Sequence, residues 1–324
     1  MDYLITAFSA EPMAVRVMQT LLGMLSAHGR KASGFLIPYT KPEEIAKVFE
    51  KYPVPKDVAV ISINYPRKAF CGGMDKVRDF IIWREQSQMD WEKDPEVIND
   101  FNSRPATLAF GYTEGMEAFR QTHVHPSLYA VPVLDLLPFT GWRLPFSAQR
   151  RYTIAMVSNR GGRDIKENSE WNQKERAHRN EVAELVRFIY GDKLALAGDG
   201  WKHLGGMGIV SFQRSAGLYT DSIYGLHASN HRGWHHRLAE ILLCGALPVV
   251  RAGTAGCMDP DVNMRLLTDF ASAYIKGCHS AVMSVIYRME TGCPQLVVEM
   301  PSTPCLFYEK PQDLESFEEF NDWH

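Results

Sequence analysis

Arg237 and Glu240 stand one helical turn apart in RLAEILLCGALPVVR, so a guanidinium and a carboxylate on one helix face can serve a single ligand. A guanidinium fork suits a phosphate or diphosphate, and a carboxylate with two acceptor oxygens suits the paired hydroxyls of a ribose. A glutamate satisfied within its own helix is the competing reading. Upstream, Ser158-Asn159-Arg160-Gly161-Gly162-Arg163 offers backbone N–H groups and two arginines to an anion. It lacks both the Gly-Lys-Ser/Thr ending of a Walker A loop and the GxGxxG order of a dinucleotide fold. A solvated glycine-rich surface loop accounts for the same residues. Lys174, Arg176 and Arg179 crowd the start of a helix expected over 174–189, where the dipole disfavours cations. An anion held between that helix start and the 160–163 loop resolves the conflict; so does neutralisation by Glu175 and Glu181. The turn Gly198-Asp199-Gly200-Trp201, after a short strand, adds a fourth feature to the same side of the chain.

The first half holds a different set. Thr113 and Glu114, followed by Gly115, end an apolar run at a place where a general base belongs. A solvated glutamate at a helix start fits equally well, and His123 and His125 compete for the role. After another apolar run come Asn64 and then Cys71-Gly72-Gly73, whose glycines let a backbone approach a ligand or simply make a turn.

Strands are expected over Tyr3–Phe8, Ala32–Ile37, Asp57–Ile63, Ala106–Gly111 and Tyr129–Leu134, with helices over Met13–His28, Pro42–Tyr52 and Asp75–Gln86. The pattern restarts with strands at Tyr152–Val157, Lys193–Ala197, Gly208–Phe212, Ser222–His227 and Leu247–Val250. The helices around them are 174–189, the one bearing Arg237, Asn263–Phe270 and His279–Glu290. Strands alternating with helices make parallel sheets, so the fold class is α/β, two Rossmann-like doubly wound lobes facing a central cleft, with ligands beyond the strands' carboxyl ends. A Pro/Gly/aromatic stretch from Pro138 to Arg151 reads as the linker, giving lobes over 1–146 and 147–310, while the acidic tail 311–324 packs back on the first lobe or stays apart.

Composition narrows the classes. With 324 residues, 45% hydrophobic and 23% charged, the chain suits two globular domains. No apolar run approaches the roughly 18 residues of a membrane span, and the N-terminus lacks a secretory signal, so a cytoplasmic protein without membrane association is expected. The six cysteines show no CxxC or Cys/His spacing and are expected to be reduced and mostly buried, with neither zinc site nor disulfide scaffold. No DxD-like pair sits at a plausible strand end, so an obligatory metal is not indicated. A net charge of −3 advertises no global nucleic-acid field, although a local basic face is compatible with it.

Gly198-Asp-Gly-Trp201 and Glu240-x-x-x-Cys-Gly245-x-x-Pro248-Val-Val resemble the nucleotide-binding half of two-Rossmann (GT-B) glycosyltransferases, over roughly 152–251. The stretch is also similar to spore-maturation-type glycosyltransferases. A narrower resemblance, to the DNA β-glucosyltransferases of T-even bacteriophages, extends into the first lobe. It rests on Ile63-Asn64…Phe70-Cys71-Gly72-Gly73, Phe110…Thr113-Glu114 and Arg237-x-x-Glu240. That resemblance implies a UDP-sugar donor, Glu240 on the ribose, and Ser158, Arg160 or Arg163, Arg176 or Arg179, Gly198, Gly200 and Arg237 around the nucleotide. Asn64, Gly72, Gly73 and Thr113 would lie on the acceptor side, and Glu114 would stand where the family has an aspartate base, one methylene longer. Retaining enzymes of this architecture carry a second glutamate eight positions before the ribose glutamate; here that position is Arg232. An inverting single displacement by a monomer is therefore expected, with a hydroxymethylated pyrimidine in double-stranded DNA as acceptor. Arg67, Lys68, Arg150, Arg151 and His235, among others, would face the DNA, in a host cytoplasm if the gene is a phage's. A surface glycan or small-molecule acceptor, or a non-catalytic nucleotide-sugar-binding protein, stands as the alternative.

Overall fold

The computed structural model of the 324-residue chain describes residues 2–38, 42–74, 77, 79–84, 94–103, 107–110, 127–130, 149–160, 170–229, 235–254, 257–258, 276, 283, 286–287, 290–291 and 303–315. Two compact units divide the chain, Met1–Leu137 with Tyr274–Met300, and Pro138–Ala273 with Pro301–His324. The sequence pattern puts everything from 147 to 310 in one lobe. The difference arises from a segment inserted between two strands of the second sheet that joins the first unit's core: Ile286 is fully buried among Tyr3, Ile5, Leu21 and Trp83. Glu290, on the same helical stretch, accepts a bidentate pair from Arg30 (2.7 and 2.6 Å) and the hydroxyl of Tyr3 (2.9 Å). The tail, in turn, belongs to the second unit, where Leu314 is buried in the core and its carbonyl accepts from Tyr190 Oη at 2.9 Å.

In the first unit, β1 (Asp2–Phe8), α1 (Pro12–Ala27), β2 (Lys31–Ile37), α2 (Pro42–Lys51), β3 (Val58–Ile63), β4 (Phe80–Arg84), α3 (Pro95–Ser103), β5 (Thr107–Phe110) and β6 (Ser127–Ala130) follow in order. The strands form one parallel sheet ordered β2-β1-β3-β4-β5-β6. Alternate residues of β1, β3 and β4 enter opposite cores: Ile5, Ile61 and Ile81 pack with α1, while Val60, Phe80 and Ile82 pack with Phe49 of α2 and Val97 of α3. That alternation is what a doubly wound sheet requires.

Within the helix expected over Asp75–Gln86, Phe80–Arg84 is instead a strand between β3 and β5. Its run Phe-Ile-Ile-Trp satisfies helical spacing by chance, and burial on both faces makes an inner parallel strand continuously apolar, which erases the period-2 signal.

The second unit repeats the plan with β7 (Tyr152–Val157), α4 (Glu170–Tyr190), β8 (Leu194–Ala197), α5 (Phe212–Thr220), β9 (Ser222–His227), α6 (His236–Leu243), β10 (Leu247–Arg251) and β13 (Leu306–Tyr308). Between the last two lies a separate parallel pair, β11 (Cys257–Met258) and β12 (Thr303–Pro304). The main sheet is ordered β13-β10-β9-β7-β8, all parallel. Val182, Val186 and Tyr190 of α4 cover one face with Leu196, Leu226 and Val249. The expected strand Gly208–Phe212 is instead irregular chain leading into α5, capped by Ser211 Oγ, which accepts from Arg214 N at 3.2 Å. Gly217, Tyr219 and Thr220 are weak helix formers, so this helix is set by the burial of Ala216, Leu218 and Tyr219 rather than by propensity. The expected helix over 263–270 and the strand residues after Ala130 lie outside the described residues.

Gly225 of β9 has no side chain because α6 lies directly above it: a Cβ there would fall 2.3 Å from Ile241 Cγ2. Gly225→Ala is expected to cost about 1–3 kcal/mol by overpacking. The urea midpoint would fall at unchanged slope, and adding Ile241→Ala would recover part of the loss.

Candidate functional site

In both sheets the chain reverses direction of growth beside the first strand: between β1 and β3, and between β7 and β9. Such a switch point opens a crevice beyond the strands' carboxyl ends, because the connections leave to opposite faces. In the second unit its walls are Ser158, Asn159 and Arg160 after β7, and Ala228 and Ser229 after β9.

Arg179 of α4 crosses this point. Its Nη1 donates to Asn159 O at 3.0 Å and its Nε to Ala228 O at 3.2 Å, while Nη2 lies 2.8 Å from Glu175 Oε1 one turn back. Glu175 is itself buried and accepts from Ser229 Oγ at 2.8 Å. One guanidinium therefore ties α4 to both lips of the crevice. The helix begins at Glu170, so Lys174, Arg176 and Arg179 do not sit on its first N–H groups and the dipole conflict read from sequence dissolves. Lys174 pairs with Glu170 at 2.6 Å on the surface, and Arg176 is exposed.

The β7 and β8 loops lock onto each other. Arg160 N donates to Asp199 O, Asp199 N to Asn159 Oδ1 (both 2.9 Å), and Trp201 Nε1 to Ser158 O at 2.5 Å beneath them. Gly198 is required here: at φ +126° a Cβ would lie 2.0 Å from Ser158 O. Gly200, at φ +85°, similarly faces the Arg160 Cβ at 2.8 Å. Arg160 Nε donates to Asn180 Oδ1 at 2.7 Å, which orients its guanidinium. Ser158 Oγ is shielded and makes no hydrogen bond among the described residues.

α6 starts on the same carboxyl side, after β9. Arg237 Nη1 and Glu240 Oε2 are 2.6 Å apart; the glutamate side chain is 1% exposed and the arginine 25%. His235 Nδ1 caps the helix by accepting from Arg237 N at 3.1 Å, which assigns the ring proton to Nε2, and its ring stacks on His227 at 4.7 Å. Burial pushes the Tyr219 phenol up, against Arg237 and with Glu240; the Cys244 thiol is raised for the same reason, burial first and Glu240 second.

The sequence-predicted residues of this unit, Ser158, Arg160, Arg179, Gly198, Gly200, Arg237 and Glu240, thus fall at the carboxyl ends of β7, β8 and β9 or on the helices entered from them, with Arg176 exposed on α4. Arg163 lies outside the described residues. Glu175 was read from the sequence as one of two carboxylates able to neutralise the basic cluster, and it does pair with Arg179; Asn180 and Ser229 were not singled out, Asn159 only as part of the loop after β7, and these become visible once the fold brings α4 over the crevice.

In the first unit, Asn64 is buried after β3 with φ +67°, its N–H donating to Trp83 O at 2.8 Å. Tyr65 beside it donates to Glu11, the residue that precedes α1 across the switch point. Gly72 turns the chain at φ +84°, whereas Gly73 has a packing reason for its missing side chain, since a Cβ would meet the Phe49 ring carbon Cγ at 2.3 Å. Thr113, Glu114, His123 and His125 lie outside the described residues.

Several basic residues read from sequence as DNA-facing have internal partners. Arg67 is buried over the Phe80 ring at 5.0 Å and 3.5 Å from Asp100; Lys68 pairs with Glu96 and Asp94. Arg150 donates to the carbonyls of Thr220 and Gly245, and Arg151 lies over Tyr152 at 5.1 Å. Among the described residues no cluster of three metal-ligating side chains occurs, and no helix is long and apolar enough to cross a membrane.

No protein-family model and no curated protein matches the chain. Solved structures to which it is similar include the pneumococcal O-GlcNAc transferase GtfA in complex with UDP and GlcNAc, at 11% identity and TM-score 0.42, covering 86% of this chain. The chain spans only 58% of that protein's length. WaaG, a glycosyltransferase involved in lipopolysaccharide biosynthesis, is similar at 9% identity and TM-score 0.48, covering 89% of this chain and 95% of that one. The glycosyltransferase SsfS6 of Streptomyces sp. SF2575 is similar at 11% identity and TM-score 0.35, over 98% and 99% of the two chains.

Arg179→Lys tests the tie across the crevice. An ammonium is one compact centre that cannot span the two lips as the guanidinium fork does, so a loss of about 1–3 kcal/mol in denaturant stability is expected. Faster amide exchange at Asn159 and Ser229 would accompany it; unchanged exchange at both would contradict the bridging role.

Proposed function

We propose that the chain is a glycosyltransferase that takes its sugar from a nucleoside diphosphate, UDP being the nucleotide the resemblance favours. The observation that carries this reading is the Arg237–Glu240 pair at the head of α6, 2.6 Å apart and entered from the switch-point strand β9. Phosphate and ribose chemistry both find their partners there: the guanidinium for the diphosphate, the carboxylate for the ribose hydroxyls. Arg160, held by Asn180, and Arg163 and Arg176 are the further cations we assign to the diphosphate; Arg179, bonded as described, positions the crevice walls instead.

The reaction we propose is an inverting single displacement. Glu114 takes the proton of an acceptor hydroxyl, that oxygen forms a bond to the anomeric carbon, and the bond from this carbon to the diphosphate oxygen breaks. Charge leaves on the nucleotide, where the arginines stabilise it, so no covalent enzyme intermediate forms. No obligatory metal enters this scheme, and the chain is taken as a monomer.

For the acceptor, the resemblance in Asn64, Gly72, Gly73, Thr113 and Glu114 supports a hydroxymethylated pyrimidine in double-stranded DNA. The internal pairing of Arg67, Lys68 and Arg150 favours a second reading, a surface glycan or small-molecule acceptor. Incubation of the protein with several UDP-sugars and either hydroxymethylated or unmodified DNA, followed by mass spectrometry, decides between them. A hexose- or pentose-sized mass gain on hydroxymethylated DNA alone is expected; release of UDP without any DNA product would move the assignment to the second reading, and binding without turnover would make the chain a nucleotide-sugar-binding protein.

Two variants separate donor from acceptor chemistry. Glu240→Gln and Arg237→Ala are expected to weaken UDP binding by about 10–100-fold in calorimetry, in line with about 1.5–3 kcal/mol for a charge-assisted contact. Glu114→Ala is expected to lower kcat by at least about a hundredfold with UDP affinity retained. Unaltered turnover in Glu114→Ala would remove this residue from the mechanism.

A further inference from the structure

Cys257 and Cys305 approach with their Sγ atoms 3.0 Å apart, the Cys305 thiol donating to Cys257 Sγ and no disulfide joining the two. Their backbones are placed by the small parallel pair β11–β12, in which Cys257 lies opposite Thr303, so Cys305 is the next residue along on the same side. Cys305 is fully buried with Leu238 of α6 and Val250 of β10, and Cys257 is partly exposed at the margin of that cluster. The two positions bracket a defined stretch of chain. Between them runs the segment Tyr274–Met300 that belongs to the first unit, while both cysteines belong to the second.

We propose that Cys257 and Cys305 are a redox-active pair that forms a reversible intramolecular disulfide by exchange with a low-molecular-weight disulfide such as oxidised glutathione, closing the 258–304 excursion at its base. The contact distance already exceeds a covalent S–S bond by only about 1 Å, and a pair held on one side of two bonded strands needs little backbone movement to close. Accessibility sets the order of events. The Cys257 thiolate attacks one sulfur of the small disulfide, forming a mixed disulfide and releasing one small thiol. The Cys305 thiolate then attacks Cys257 Sγ, the protein S–S bond forms, the mixed bond breaks, and the second small thiol leaves. Two protein thiols are oxidised, one small disulfide is reduced to two thiols, and the two protons pass to them. Burial and the neighbouring Cys257 raise the Cys305 thiol, so the initial attack falls to the more exposed Cys257.

A chain with six cysteines makes the test a count. The full-length reduced protein is equilibrated with mixtures of oxidised and reduced glutathione, quenched in acid, unfolded and alkylated, and mapped by peptide mass spectrometry. Six alkylated thiols are expected in the reduced sample and four in the oxidised one, with a single Cys257–Cys305 crosslink that a dithiol reagent reverses. Cys305→Ser is expected to trap glutathione on Cys257. Cys257→Ser, altered at the more exposed position, serves if the buried replacement fails to fold, and is expected to leave Cys305 unmodified in the folded protein. Six free thiols after oxidation, a crosslink involving any other cysteine, or glutathione retained on Cys257 of the unaltered protein would overturn the proposal.

Discussion

The guanidinium of Arg179 is the constraint from which the second unit's working end is built. A parallel sheet leaves carbonyl groups at its strand ends with no partner in the ladder, and a crevice at the switch point widens that deficit. Arg179 satisfies Asn159 O and Ala228 O on opposite lips at once, and its own charge is balanced by Glu175, buried and held by Ser229. A buried ion pair contributes little net stability by itself, because desolvation offsets attraction. Its consequence is geometric: α4, the β7 loop and the β9 loop are tied to one another through it.

The packing beneath α6 follows the same logic with apolar groups. Gly225 lets the helix approach β9 until Ile241 fills the space a side chain would occupy, and Leu238 closes over Val250 and Cys305. The depth of that contact buries Glu240 to 1% exposure, so its carboxylate must face a cation, and Arg237 one turn earlier provides it. Thus a missing methyl in a strand governs the electrostatics of a helix terminus.

Most strands were legible because their apolar runs are short and bounded by turn residues, as in Tyr152–Val157 and Ser222–His227. Phe80–Arg84 was read as helix since a strand buried on both faces loses its alternation, and Phe212–Thr220 was missed because its helix depends on burial against β9 more than on its residues' propensities. For the site, Arg237 and Glu240 were visible as a one-turn pair. Arg67 and Arg150 looked like surface cations, but long side chains can be drawn inward by partners remote in sequence, Asp100 in one case and the Gly245 carbonyl in the other.

The sequence by itself determined the α/β class, the repetition of the strand–helix pattern and the residue types gathered at strand ends, all of which depend on local periodicity and turn chemistry. Only the tertiary structure decided that Arg179 spans the crevice, that Gly73 yields to Phe49, that 274–300 returns to the first core through Ile286 and Glu290, and that Cys257 meets Cys305. Each of these is a contact between residues far apart in the chain. Such contacts are selected by packing and by the pairing of buried polar groups, and neither leaves a periodic mark on the sequence.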